Sequence, residues 1–104
     1  MEREQAVRLT QNLLRKMIER NGSDLFLTCG FPPAIKVDGT IHKATDTPLS
    51  ADQSAMMVRA IMNDKQIKEF DATKECNFAI APPGIGRFRV SAFIQQGYVG
   101  AVLR

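Results

Sequence analysis

Cysteine, histidine and tryptophan are scarce in this 104-residue sequence, which has two cysteines, one histidine and no tryptophan. Cys29 and Cys76 lie far apart and match no metal-ligand or redox spacing, so we interpret both as small buried hydrophobic residues. His42 has no cysteine or carboxylate constellation around it, and we expect a solvated strand residue rather than a catalytic or metal-binding one. The sequence therefore predicts no metal site.

Long hydrophobic runs and a strong excess of one charge are also missing. Residues 1–5 lack the apolar core of a signal peptide, and no run approaches membrane-spanning length, so we expect a cytoplasmic location. The net charge of +3 is far from the dense basic stripe of a dedicated nucleic-acid binder. A hydrophobic fraction of 44% is that of an ordinary globular protein, and the length suits one domain over residues 1–104.

Motifs for nucleotide binding and catalysis are absent as well. The sequence contains no G-x-x-x-x-G-K-[ST] phosphate loop. Gly84-Ile85-Gly86 is only a G-x-G segment, and it precedes a predicted strand, so no helix N-terminus is available there to hold a pyrophosphate. No nucleophile motif or Ser-His-Asp arrangement can be argued from spacing. We expect no catalytic residue in this chain.

Clear periodic patterns are present, and they predict helices and strands along the whole chain. An amphipathic helix over 5–21 ends at Gly22, which we expect to adopt the left-handed conformation of a helix stop. Asp38-Gly39 joins two short strands in a hairpin whose register stays open, and a capping box at Ser50–Gln53 begins a second helix. In order, the elements are a helix (5–21), strands (23–29, 34–37, 41–44), two helices (from 51, and 65–71) and three strands (76–80, 87–94, 98–103). This order predicts an α+β fold in which a helix layer covers a largely antiparallel sheet of about six strands.

The last two predicted strands carry the one feature with a chemical use. Apolar and mixed residues alternate from Arg87 to Ile94, and a turn at Gln96-Gly97 reverses the chain. A loop centred on this turn pairs residues whose numbers sum to 193, which places Arg89 beside Arg104. Neighbouring arginines repel, but they become favourable partners once an anion lies between them. We therefore hypothesise that Arg89 and Arg104 meet a phosphate that the chain itself cannot hold, although these residues alone favour the plainer interpretation of two solvated sheet residues.

Four blocks of sequence lie in order along nearly the whole chain. They are Gly22-Ser-Asp-Leu-Phe-Leu-Thr with Gly30-Phe-Pro-Pro-Ala-Ile-Lys-Val-Asp-Gly39; Thr47-Pro-Leu-Ser50; Ile61-Met-Asn-Asp-Lys-Gln66; and Glu75-Cys-Asn-Phe-Ala-Ile80 with Gly84-Ile-Gly-Arg-Phe-Arg-Val-Ser-Ala-Phe93 and Gly100-Ala-Val-Leu-Arg104. In this arrangement they resemble the N-terminal domain of the type IV pilus twitching-motility ATPases, the PilT/PilU retraction motors. The 75–80 block and Phe26 lean towards the PilU branch.

The resemblance implies a PAS-like domain that precedes a RecA-like ATPase domain in a cytoplasmic homohexamer, held at the inner membrane by the pilus machinery. In that family the second domain carries the catalytic residues and binds ATP with Mg, so we expect no activity from this chain alone. The chain ends abruptly after its last predicted strand, which leads us to expect that it is cut from a longer protein. A partner retraction ATPase is a further implied contact.

Family N-terminal domains close over the nucleotide and supply arginines to its phosphates. The positions that match are Arg89 and Arg104, with Arg87 as a weaker candidate because it lies nearer the preceding turn. The resemblance thus makes phosphate contact the favoured interpretation of the arginines. Two other functions stay open: a stand-alone sensor or docking module of PAS type, and nucleic-acid binding, which the low net charge makes the least favoured.

Overall fold

A computed structural model describes all 104 residues and contains three helices and six strands in the predicted order. The elements are α1 (Arg3–Glu19), β1 (Asp24–Thr28), β2 (Ala34–Val37), β3 (Thr40–Lys43), α2 (Ala51–Ala60), α3 (Asp64–Thr73), β4 (Glu75–Ile80), β5 (Phe88–Gln95) and β6 (Tyr98–Leu103). The α+β prediction is therefore confirmed, and most boundaries lie within two residues of those expected.

The six strands form one open sheet in the order β3-β2-β1-β6-β5-β4, with every neighbouring pair antiparallel. The last strand, β6, lies in the middle, between β1 and β5. Strand alternation directs residues such as Leu25, Leu27 and Val90 to one face, where they join α1, α2 and α3 in a core of 21 buried side chains. Apart from Gly100, which the Phe93 ring covers, alternate residues on the other face are exposed or half-buried, and no helix covers that face.

Side-chain caps begin the second and third helices. Ser50 and Gln53 form the predicted capping box, in which the Gln53 N–H donates to Ser50 Oγ at 3.1 Å. Asn63 and Gln66 form a similar box at α3, with the Gln66 N–H donating to Asn63 Oδ1 at 2.8 Å. These boxes fix where the two helices start, and α2 in turn packs across β6 and β1.

The end of α1 differs from the prediction. The helix ends at Glu19, and the left-handed residue is Asn21, with φ of 56°, rather than Gly22. Glycine is required at position 22 for another reason: a Cβ there would lie 2.6 Å from Cγ2 of Ile35. Gly22 therefore allows α1 and β2 to approach closely, a long-range demand that the local pattern does not reveal.

Both predicted hairpins have two-residue loops with positive φ at each loop residue. Asp38 and Gly39 have φ of 49° and 80°, and Gln96 and Gly97 have φ of 53° and 82°. The first hairpin pairs residues whose numbers sum to 77, such as Val37 with Thr40, so its open register is resolved as a strict two-residue loop. The second hairpin follows the predicted sum of 193 along its whole length.

Candidate phosphate-binding surface

Arg89 and Arg104 lie directly opposite each other across β5 and β6. The backbone N–H of Arg89 donates to the carbonyl oxygen of Arg104 at 2.9 Å, and the N–H of Arg104 donates to the carbonyl oxygen of Arg89 at 2.8 Å. Directly opposite residues of an antiparallel pair share a face, so both side chains project from the same side of the sheet. Their neighbours Phe88 and Leu103 are buried, which fixes the arginines on the open face.

A shallow depression of about 820 Å³ contains all three arginines named from the sequence. Arg87 precedes β5 and is exposed, as are Arg89 and Arg104. The eight lining residues include no carboxylate, so the depression is a positively charged surface with two neutral polar side chains, an amide and a hydroxyl. They are Asn77, Phe78, Ala79, Arg87, Arg89, Val90, Ser91 and Arg104.

The row of side chains that starts at Arg89 continues across the sheet beyond Arg104. β1 pairs with β6 in a register that places Asp24 beside Arg104, and Asp24 pairs with Lys36 of β2. Four adjacent strands therefore present Arg89, Arg104, Asp24 and Lys36 in a transverse row on the open face. Three of these side chains are basic and one is acidic, so the row as a whole carries a net positive charge.

Arg104 already has one partner within this row, Asp24. Its Nε donates to Oδ2 of Asp24 at 3.1 Å, while 58% of the Arg104 side chain and 15% of the Asp24 side chain are exposed. Its two Nη groups make no hydrogen bond, and the side chains of Arg87 and Arg89 form neither a hydrogen bond nor an ion pair. The arginine end of this ion pair is largely exposed, so the guanidinium group of Arg104 is accessible to a further partner.

The sequence pattern did not identify Asp24 as part of the surface. Asp24 and Arg104 are 80 positions apart, and they meet only because β6 is placed between β1 and β5. Hairpin alternation is a local signal and it correctly paired the two arginines, whereas the pairing of β1 with β6 is a long-range contact. The one available signal was the position of an acidic residue on the non-core face of a predicted strand.

The remaining chemistry-bearing residues lie elsewhere. His42 is exposed on β3, as predicted. Cys76 is buried, and burial raises the pKa of its thiol, helped by a hydrogen bond that Sγ donates to Oε2 of Glu69 at 3.4 Å. The prediction was wrong for Cys29, which is half-buried because it follows the end of β1 beside a loop. No group of three His, Cys, Asp or Glu side chains is arranged to hold a metal ion, and none of the helices has the length and apolarity to cross a membrane.

Comparison with characterised proteins finds relatives that match most of the chain, although no protein-family model matches it. The type IV pilus ATPase PilU of Pseudomonas aeruginosa is 53% identical over 94 residues, which is 90% of this chain and 25% of PilU. The type IV pilus retraction ATPase PilT of the same organism is 42% identical over 92 residues, 88% of this chain and 27% of PilT. The chain thus spans about a quarter of the length of these relatives, and it is more similar to PilU than to PilT, as the sequence blocks indicate.

Solved structures of two ATPases have the same fold as this chain. A crystal structure of the pilus retraction motor PilT with bound ADP superposes with a TM-score of 0.83 at 32% identity, over 90% of this chain and 28% of PilT. The ATPase DotB of Legionella pneumophila gives a TM-score of 0.77 at 22% identity, over 92% of this chain and 28% of DotB, which shows a common fold.

Proposed function

Because this chain belongs to the PilT/PilU family and corresponds to the N-terminal domain of those ATPases, we propose that it is the nucleotide-sensing domain of a pilus retraction ATPase. In this proposal the domain closes over ATP and Mg held by an ATPase domain outside residues 1–104, and its arginines contact the phosphates. The observation that supports it is the depression in which Arg87, Arg89 and Arg104 lie together without a lining carboxylate. The 104-residue chain alone is expected to hydrolyse no ATP.

The mechanism is electrostatic. Opposite residues of an antiparallel pair have Cβ atoms roughly 4.5–5.5 Å apart, so one phosphate group between Arg89 and Arg104 could accept hydrogen bonds from both guanidinium groups. Triphosphate attracts this surface more strongly than diphosphate does, because it carries more negative charge. Binding of ATP therefore favours the closed arrangement of the two domains, and hydrolysis weakens it, which makes closure and opening the mechanical step.

The proposal also covers the oligomeric state, the location and the partners of the protein. We place it in a cytoplasmic homohexamer at the inner membrane, in contact with the pilus machinery and with a partner retraction ATPase. Surfaces outside the core, including the half-buried Phe26 and Val102 on the open face, would contact neighbouring subunits. No nucleic-acid role is proposed, because the chain has a net charge of only +3.

ATPase kinetics of the full-length protein test the phosphate contact. Arg89→Ala and Arg104→Ala each remove a charged hydrogen-bond donor, and we expect kcat/KM for ATP to fall about tenfold or more, since such bonds contribute on the order of 1.5–3 kcal/mol. Arg8→Ala is the matched control: Arg8 is exposed on α1, away from the depression, and should leave kcat/KM within about twofold of wild type. Unchanged kinetics in both site variants would remove the phosphate role.

A second candidate function is that of a stand-alone sensor or docking module. The observation in its favour is a smaller depression of about 300 Å³ beside β1, β5 and β6, lined in part by Thr28, Phe93 and Tyr98. Hydroxyl groups and aromatic rings around a concave surface suit a small polar ligand. A small molecule retained by the purified chain and located by its effect on the NMR signals of these residues would favour this function.

A further inference from the structure

The carboxylate of Asp24 contacts the guanidinium group of Arg104, which is also the group that would contact a phosphate in the proposed function. Its Oδ2 accepts a hydrogen bond from Arg104 Nε at 3.1 Å, and only 15% of its side chain is exposed. Carboxylate and phosphate oxygens both form charge-assisted hydrogen bonds with arginine. A phosphate that engages Arg104 fully must therefore compete with an anion that the chain already supplies.

We propose that Asp24 is an internal competitor for the phosphate: it holds Arg104 in the absence of the ligand, and ligand binding transfers Arg104 from the carboxylate to the phosphate. This inference rests on the proposed phosphate contact of Arg104. Arg89, which has no carboxylate partner, makes the first contact with the ligand, and Arg104 follows once its bond to Asp24 is broken.

Lys36 makes this exchange possible without leaving a charge unpaired. It is the residue opposite Asp24 on β2, on the side away from Arg104, and it forms no ion pair in the present arrangement. Leaving the half-buried Asp24 carboxylate without a partner would cost free energy. Lys36, directly opposite on the neighbouring strand, can replace Arg104 as that partner. The row Arg104–Asp24–Lys36 therefore has two arrangements, one with the Asp24–Arg104 bond and one in which Lys36 pairs with Asp24.

The competition selects the class of ligand. A polyphosphate with several charges gains more from Arg89 and Arg104 than an anion of low charge does, so it displaces the carboxylate more readily. The bound state of the surface then favours nucleotide triphosphates or other polyphosphates over anions of low charge. The same competition keeps affinity moderate, which favours release once the ligand loses charge.

Titration of the full-length protein with a non-hydrolysable ATP analogue tests the inference, with the affinity measured by calorimetry. Asp24→Asn removes the competing charge, and we expect binding to become about two- to fivefold tighter, the range expected for an exposed ion pair. Asp46→Asn is the matched control, because Asp46 is exposed in a loop and forms no ion pair. It removes the same charge and should change affinity by less than about twofold.

A double-variant cycle identifies the route of the effect. In an Arg104→Gln background the gain from Asp24→Asn should disappear, because the competition acts through Arg104. Asp24→Ala is the second variant, since an asparagine amide can still accept a hydrogen bond from Arg104 and an alanine side chain cannot. A merely structural role for Asp24 predicts weaker binding in both variants, so the sign of the change separates the two accounts.

The outcomes also separate this inference from the proposed function. If Arg89→Gln and Arg104→Gln weaken binding but neither Asp24 variant strengthens it, or if the gain persists without Arg104, the competitor role is overturned and the phosphate contact stands. If the arginine variants bind the ATP analogue as wild type does, or if the full-length wild type does not bind it, both are overturned.

Discussion

The two faces of the sheet are made by the same strands and have opposite properties. Towards the helices, β1 and β6 place Leu25 and Leu103, which are fully buried, whereas towards solvent they place Asp24 and Arg104, which form an ion pair. Strand alternation thus separates residues that stabilise the fold from residues available to a ligand. Substitutions one position apart in sequence should therefore affect different properties of the protein.

The largest expected contrast is between Leu103→Ala and Arg104→Ala. Leu103 has no exposed surface, so its truncation leaves a cavity in the core and should lower the free energy of unfolding by about 2–5 kcal/mol. Arg104→Ala should lower it by about 1 kcal/mol or less, because the side chain is mainly exposed. Urea unfolding of both variants measures the difference, and equal losses would show that the open face also stabilises the fold.

A smaller effect is expected at Gly22, where the chain approaches the covered face. A Cβ would lie 2.6 Å from Cγ2 of Ile35 and 3.1 Å from the carbonyl oxygen of Lys36, so Gly22→Ala should cost roughly 1–3 kcal/mol of unfolding free energy through overpacking. Ser23→Ala, at the next and exposed position, should change it by about 0.5 kcal/mol or less. Equal thermal midpoints for the two variants would contradict the close approach.

The smallest effect concerns Cys76 on the covered side and appears only at alkaline pH. The folded chain raises the pKa of this thiol above 9.0, chiefly by burial, so the folded state keeps its proton at a pH where the unfolded state has lost it. Its contribution to stability is full below pH 9.0 and falls as the pH rises towards the folded pKa, by at most about 1.4 kcal/mol per pH unit. Cys76→Ala should unfold with a shallower pH dependence above pH 9.0, and parallel profiles would contradict this cause.

Local signals were sufficient for the elements and for the arginine pair. The Gln96-Gly97 turn and the alternation beside it fixed the β5–β6 register, so Arg89 and Arg104 could be paired from sequence. The hairpin at Asp38-Gly39 was also found, and only its register needed the structure.

Contacts between distant segments were not predictable from these signals. Asp24 became part of the arginine surface only through the pairing of β1 with β6, and Gly22 was assigned to a helix stop when its constraint is contact with Ile35. Cys29 was expected to be buried because cysteine often is, yet it lies past the end of β1. In each case the deciding neighbour is supplied by tertiary structure.

The most direct measurement of the central claim is the affinity of the full-length protein for a non-hydrolysable ATP analogue, made alongside urea unfolding of the same samples. For Arg104→Ala the account predicts affinity about tenfold weaker with unfolding free energy within about 1 kcal/mol of wild type. Wild-type affinity in Arg104→Ala and in Arg89→Ala would contradict it, because the open face would then hold its arginines without any phosphate to bind.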